Sequence, residues 1–237
     1  MIELKNVSVR TRGTLNPVFL RDINLRVEAG DRIGILGPKD GGLSLIVDVI
    51  CGADAPLSGS VNRTGRISWP IPGGAFFHKH QSYVANARFV ATLYEVDQHT
   101  YISRVLDLAE VGDLADQQVS RCPRSVTSRF AFALGACLPF DTYVITNTNI
   151  GDKADREKYQ DIIEELASRS GLLIASSSAK TAQPFCHKAY VLDPAGSIYY
   201  DDMEAAAEHL ARTSKRGDAA SDQAEAEEEE QLVDDFF

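Results

Sequence analysis

The 237-residue sequence predicts an α/β fold with N-terminal antiparallel strands, a parallel sheet and an inserted α-helical subdomain. Three observations predict it. A glycine-rich loop stands between a short apolar run and a helical pattern. A long stretch, from about Tyr83 to Leu138, reads mainly as helix. After it, β-type runs return, with an amphipathic helix between the first two.

The elements follow in order. Ile2, Leu4, Val7 and Val9, then Val18, Leu20, Ile23, Leu25 and Val27, mark two half-buried strands. Glu28-Ala29-Gly30-Asp31 is a turn, and residues 32–36 form a short apolar strand running into the glycine-rich loop. Ser44 to Ile50 is helical, stopped by Gly52. Pro56 to Gly59 is a turn leading to Ser60-Val61. In the helical stretch, Tyr101, Val105, Leu106 and Leu108 recur at helical spacing, as do Val126, Phe130, Leu134 and Cys137. Residues 143–145, 172–175 and 189–192 are β-type. Asp152 to Ser168 is a polar helix with Ile162, Ile163 and Leu166 on its apolar side. Pro194-Ala195-Gly196 turns into Ser197 to Tyr200, and a last helix covers about 202–212. The expected organisation is one unit over 1–212, with a core of about 1–77 and 139–212 and a helical lobe of about 78–138. An acidic, disordered tail over 213–237 follows.

Charge supports that division. From Gly217 to Phe237 there are nine acidic residues and no basic one, and the preceding residues carry 25 acids against 24 bases. Nine units of the net charge of −10 therefore lie beyond residue 216, and the acidic balance argues against a nucleic-acid partner. Cys51, Cys122, Cys137 and Cys186 have neither disulfide-framework nor zinc spacing and are expected reduced. The N-terminus lacks a basic-then-apolar signal, so a cytoplasmic location is expected.

The loop Gly37-Pro38-Lys39-Asp40-Gly41-Gly42-Leu43-Ser44 fits the frame G-x-x-x-x-G-K-[ST] of a phosphate-binding loop, after a strand and before a helix. In a working loop the backbone N–H groups and the helix N-terminus cradle phosphate, a lysine neutralises it, and Ser or Thr holds Mg²⁺. Here Leu43 stands at the lysine position, Ser44 is kept, and Asp40 adds a negative charge.

With the loop so placed, residues 2–205 resemble the ATP-binding subunits of ABC transporters. The residues that carry the likeness include Pro56 to Val61 and residues 67–70 followed by 89–94, which look like the capsular-polysaccharide-export type. Residues 127–134 and 140–145 add to it. The resemblance implies a P-loop NTPase-like ABC ATPase core. It also implies that most of the family's chemical residues are replaced. The Mg²⁺-orienting aspartate falls on Thr146, the catalytic glutamate on Asn147 and the switch histidine on Ser177. The Q-loop glutamine falls at or near His78. The signature falls on Pro123-Arg124-Ser125-Val126, without glycine. Gly151-Asp152 is D-loop-like. The adenine-stacking aromatic expected near Thr11 is missing, with Phe19 as the nearest substitute.

These replacements imply weak, vestigial nucleotide binding at Gly37 to Ser44, no intact catalytic residue and no metal site; Mg-ATP binding stays possible. Several bland readings stand beside these. His78-x-His80 reads as a solvent-facing loop, Trp69 as lobe packing, and Thr127-Ser128-Arg129 as a helix cap. The expected function is a non-hydrolysing polysaccharide-exporter subunit with a structural or regulatory role. It would lie peripherally on the inner face of the membrane and pair with a permease or a motif-intact ATPase subunit, and a dimer is among the expected assemblies. The alternatives are a divergent but active exporter subunit and a non-transport scaffold. Tyr83, Phe89, Leu93, Tyr94 and Tyr101 supply more apolar and aromatic surface than a small lobe needs, so part of it is expected to face a partner helix.

Overall fold

The structure is a computed structural model, and it describes residues 1–10, 19–38, 42–72 and 77–214. Three strands, β1 (Ile2–Arg10), β2 (Phe19–Val27) and β4 (Ser58–Arg63), form an antiparallel sheet in the order β2-β1-β4. The second sheet has the order β5-β6-β7-β3-β8-β9. Its strands are β3 (Arg32–Leu36), β5 (Ile67–Ile71), β6 (Thr142–Ile145), β7 (Gly171–Ser176), β8 (Lys188–Val191) and β9 (Ile198–Tyr200). Neighbours are parallel except for β9, which returns antiparallel on β8.

Alternation along the central strands divides the interior in two. Ile33 and Ile35 of β3, Val144 of β6 and Leu173 of β7 point toward the antiparallel sheet and helix α1 (Leu43–Cys51). Leu36, Tyr143, Ile145, Leu172 and Ile174 point to the other face. Both faces are covered, which is why these strands read as unbroken apolar runs.

The other face carries α2 (Tyr83–Leu93), α3 (Gln98–Leu108), α4 (Arg124–Ala136), α5 (Arg156–Arg169), the short α6 (Ala179–Ala182) and α7 (residues 203–214). Ser82 caps α2 by accepting the Ala85 N–H at 3.1 Å, and Asp97 caps α3 by accepting that of Thr100 at 2.8 Å. Helix α4 lies against β5 because Gly135 has no side chain: a Cβ there would sit 2.4 Å from Ile71 Cδ1. Trp69 is 5% exposed and packs against Tyr94 and Phe140, with ring centroids 5.5 and 5.6 Å away.

Three readings change. Residues 58–63 are a full strand rather than a turn with a short extension. Helix α4 begins at Arg124 behind Pro123, which gives no side-chain cap, so Thr127 lies inside the helix. Its hydroxyl donates to the Pro123 carbonyl at 3.3 Å. Thr213, assigned to the tail, is buried at 4% exposure on α7, because its hydroxyl is held by Asp193 at 2.8 Å. The tail beyond residue 214 lies outside the described residues. No helix among the described residues is long and apolar enough to cross a membrane.

Candidate functional site

The parallel strands end at one edge, and the loop after β3 opens into α1 there. Gly42 starts the helix in the left-handed region at φ 80°. Only glycine is easy there, since a Cβ would also come to 3.0 Å from Leu20 Cδ1. Gly37 donates its N–H to the Ser176 carbonyl at 3.3 Å, tying the loop entry, with Pro38 next, to the end of β7. Lys39, Asp40 and Gly41 lie outside the described residues, as does Thr11.

A cleft of about 410 Å³ lies beside this helix start, at the C-terminal ends of β6 and β7. Leu43, Ser44, Asp48, Thr146, Ser176 and Ser177 are among its lining residues. Four positions separated by up to 134 residues in the sequence, Leu43, Ser44, Thr146 and Ser177, thus meet at one site. Asn147 does not line the cleft. It is exposed, and its Oδ1 accepts the Asn149 N–H at 2.9 Å in a local turn.

The charge of the cleft is its most informative property. None of its described lining residues is Lys, Arg or His, and Asp48 is the one charged group among them. Burial pushes the Asp48 carboxyl above its usual range, and the neighbouring Asp54 adds to it. Asp48 was missed from the sequence. The available signal was its position one helical turn after Ser44. Thr146 is turned onto the protein: its N–H and its hydroxyl both donate to the Ile71 carbonyl, at 2.7 and 3.3 Å. No group of three His, Cys, Asp or Glu side chains suited to a metal occurs among the described residues. A nucleotide held for hydrolysis needs a cation on its phosphates and a carboxylate for Mg²⁺ and water. The described lining supplies hydroxyls and one half-buried carboxylate, and Lys39 of the loop lies outside the described residues.

The turn of α4 that follows the signature-like residues is joined to the D-loop-like segment. Pro123 precedes α4, Arg124 is exposed and Ser125 half-buried on the first turn, and Val126 is buried. One turn further on, the Ser128 hydroxyl accepts the Gly151 N–H at 3.5 Å. Arg129 binds Asp155 at 3.1 Å, with side chains only 12% and 16% exposed, and donates from Nε to the Ala109 carbonyl at 3.0 Å. Asp152 and Asp155 cap each other's turn. The Asp152 N–H is the largest influence holding the Asp155 carboxyl below its usual range; burial opposes it and Arg129 assists. His78 is exposed, and Asn86 clamps its backbone through bonds of 2.6 and 3.1 Å. Phe19 carries the Arg21 guanidinium 4.3 Å from its ring centroid.

No protein-family model matches the chain. Curated relatives do. The capsule polysaccharide export ATP-binding protein CtrD of Neisseria meningitidis is 33% identical over 214 residues, covering 88% of this chain and 98% of the relative. The ATP-binding protein BexA of Haemophilus influenzae is 31% identical, covering 83% and 91%. Among solved structures, an ABC-transporter ATP-binding subunit superposes with a TM-score of 0.74 at 16% identity, covering 89% of this chain and 99% of that one. A dimeric ATP-binding cassette bound to ADP and Pi gives 0.69 at 17%, covering 82% and 95%. The structures establish the ABC ATPase-cassette fold, and the curated relatives establish the kinship: the chain belongs to the ABC-transporter ATP-binding proteins related to those of capsule polysaccharide export.

Proposed function

We propose that this chain is a polysaccharide-exporter subunit that has lost ATP hydrolysis and acts as a structural or regulatory partner. The observation that carries the reading is the absence of a cation among the described residues that line the cleft. Replacing the lysine with Leu43 forfeits charge-assisted hydrogen bonds worth about 1.5–3 kcal/mol. Thr146 offers no carboxylate, and Asn147 cannot accept a proton, which removes general-base help of about 10²–10⁴-fold. The other half of a composite site is also altered, because Pro123 to Val126 present no glycine at the start of α4.

The same reading gives the chain a docking face. Of the aromatic and apolar residues expected there, Tyr83 and Tyr101 are buried and Tyr94 is half-buried on Trp69, so none of the three is the contact. Phe89 and Leu93, one turn apart on α2, are 62% and 60% exposed. They form an apolar patch suited to an amphipathic helix of a membrane permease, which would hold the chain at the inner face of the membrane. A motif-intact ATPase subunit is the partner expected beside it, in place of a second copy of this chain.

Purified protein is expected to give no ATPase rate above a blank under conditions where a motif-intact relative turns over. A rate that persists through purification and disappears in Asn147→Ala would sink the proposal and establish a divergent, active subunit.

A further inference from the structure

A second cavity, of about 370 Å³, lies at the opposite end of the sheet from the cleft. It opens between α3, the end of α4, the segment leading into β6 and the end of α5. Its floor is apolar and aromatic, with the buried Tyr101, Leu138, Phe140 and Tyr143, and the exposed Pro139, Arg104 and Arg169 stand at its rim. Tyr101 and Tyr143 turn their hydroxyls away to the Leu134 and Leu138 carbonyls, so their rings face the cavity as hydrocarbon. Arg104 forms no ion pair with any described residue. Arg169 has only an exposed contact with Glu165 at 3.7 Å. Both guanidiniums act on the same two groups at the wall: they favour the ionised forms of Cys137 and Tyr143, although burial outweighs them and pushes the Cys137 thiol up to about 11. Asp97, at the same rim, accepts the Thr100 N–H.

We infer that this cavity receives the acidic C-terminal segment of the same chain, with the apolar residues of Leu232 to Phe237 on its aromatic wall and Asp234-Asp235 beside Arg104 and Arg169.

Two complementarities on the molecule support this occupant. The segment from Gly217 holds nine acids and no base, and its apolar residues cluster at Leu232-Val233 and Phe236-Phe237 around a pair of acids. The cavity offers the converse, an apolar wall with two cations beside it. The cleft at the other end of the sheet has Asp48 as its one described charge and would repel such a segment.

The chain is also long enough. Helix α7 is fixed at its end, where Thr213 and His209 both bind Asp193, so the segment departs from a defined point just beyond β8. The roughly 18 residues from there to Leu232 span at most about 60 Å when extended. Three strand spacings from β8 to β6 are about 14 Å, and a five-residue strand is about 17 Å long. The segment can pass round the sheet with slack.

Cys137 lies in the cavity wall and reports occupancy, with Cys51 at the end of α1 as a control outside it. The test is iodoacetamide labelling of the full chain, read residue by residue by mass spectrometry. Deleting residues 217–237 is expected to speed Cys137 labelling about tenfold, as removal of a ligand of 90% occupancy would, with Cys51 unchanged. With Arg104→Glu and Arg169→Glu in both chains, deletion should no longer change the Cys137 rate, a comparison that holds the arginines' own effect on the thiolate fixed, and Phe236→Ala with Phe237→Ala should give part of the tail-deletion effect. An unchanged Cys137 rate after deletion overturns the inference. Protection that fades on dilution overturns its intrachain form, because the occupant would then be the tail of a second copy. A peptide of residues 221–237 should restore protection to the truncated chain, and restoration by inorganic phosphate alone would also count against the segment. Far-UV circular dichroism of each variant separates loss of the segment from loss of the fold.

Discussion

Leu43→Lys tests the reading of the cleft, because the structure sets two effects of opposite sign. Leu43 lines the cleft and is half-buried, with part of its side chain packed against the cluster that holds Ile46, Val47 and Ile50. A lysine keeps most of that packing through its methylene stem, so the loss of stability is limited to about 1 kcal/mol. For a protein of this size that is a fall in thermal midpoint of about 2–4 °C. Against it, the ammonium brings a cation to a cleft with no described cation. Charge-assisted bonds to phosphate of about 1.5–3 kcal/mol correspond to a gain of roughly 10- to 150-fold in affinity. Asp40→Gly in the same chain removes an acid from the loop and should increase the gain. Calorimetric titration with Mg-ATP, alongside a thermal melt, reads both numbers. Hydrolysis should stay absent, because Thr146 and Asn147 are untouched. A folded Leu43→Lys protein with the affinity of the parent would refute the reasoning: the loop would then not present phosphate to that position, whatever its side chain.

Two further predictions follow from other parts of the molecule. Phe89→Asp with Leu93→Asp should abolish co-purification with a permease or ATPase partner and leave the thermal midpoint within about 2 °C, since both side chains are largely in water; an undiminished complex would exclude α2 as the docking face. Asp193 is 6% exposed, and burial alone would raise its carboxyl, but the N–H of Ala195, His209 and Thr213 outweigh burial and hold it below its usual range. A depressed carboxylate stabilises the fold above its unfolded value of about 4 and loses that contribution as pH falls through the lower folded value. The thermal-midpoint penalty of Asp193→Asn should therefore be largest near neutrality and shrink below about pH 4. A penalty independent of pH would show that packing, and not the ionised carboxylate, fixes α7.

What was legible in the sequence depended on whether a residue's role was local or carried by a regular pattern. Ile33 to Leu36 and Leu172 to Ala175 could be read because burial on both faces leaves an unbroken apolar run. Strand β4 could not. Five of its six residues are exposed, and it is held to β1 by backbone pairing, which leaves no mark on side-chain type. Strand β5 was obscured by Pro70, which the sheet accepts because β5 is an edge strand with one unpaired side. At the site, the frame from Gly37 to Ser44 and the strand end before Thr146 located the cleft, since a phosphate loop and a strand terminus are both short-range signals. Asp48 escaped because its effect comes from what it faces. The Asp193, His209 and Thr213 cluster escaped because Asp193 lies 16 and 20 residues before the two others with no shared motif. The aromatic surplus of the lobe was visible, but composition could not divide it: Tyr83, at 0% exposure, and Phe89, at 62%, look alike in sequence.

On the proposed loss of hydrolysis, the fold outlasts its nucleotide chemistry because the two draw largely on different faces of the same elements. Helix α1 buries Ile46, Val49 and Ile50 under the antiparallel sheet, while Ser44 and Asp48 look into the cleft, which the buried Val47 also lines. Strand β6 buries all four of its residues, and only the residues after it, Thr146 and Asn147, leave the core. A change at a cleft position therefore costs binding energy without opening a cavity, whereas a change on the buried face costs the fold about 2–5 kcal/mol. Leu43 goes further: in place of a lysine it adds apolar contact to the core at the position where phosphate would require a charge. A chain kept for its shape, and for the surface that α2 presents, can accumulate such replacements at Leu43, Thr146, Asn147 and Ser177 together. On the proposed reading, a chain still required to turn over ATP would not accumulate them, because Leu43, Thr146 and Ser177 share one cleft, and losses of transition-state contacts there multiply in rate while they barely register in stability.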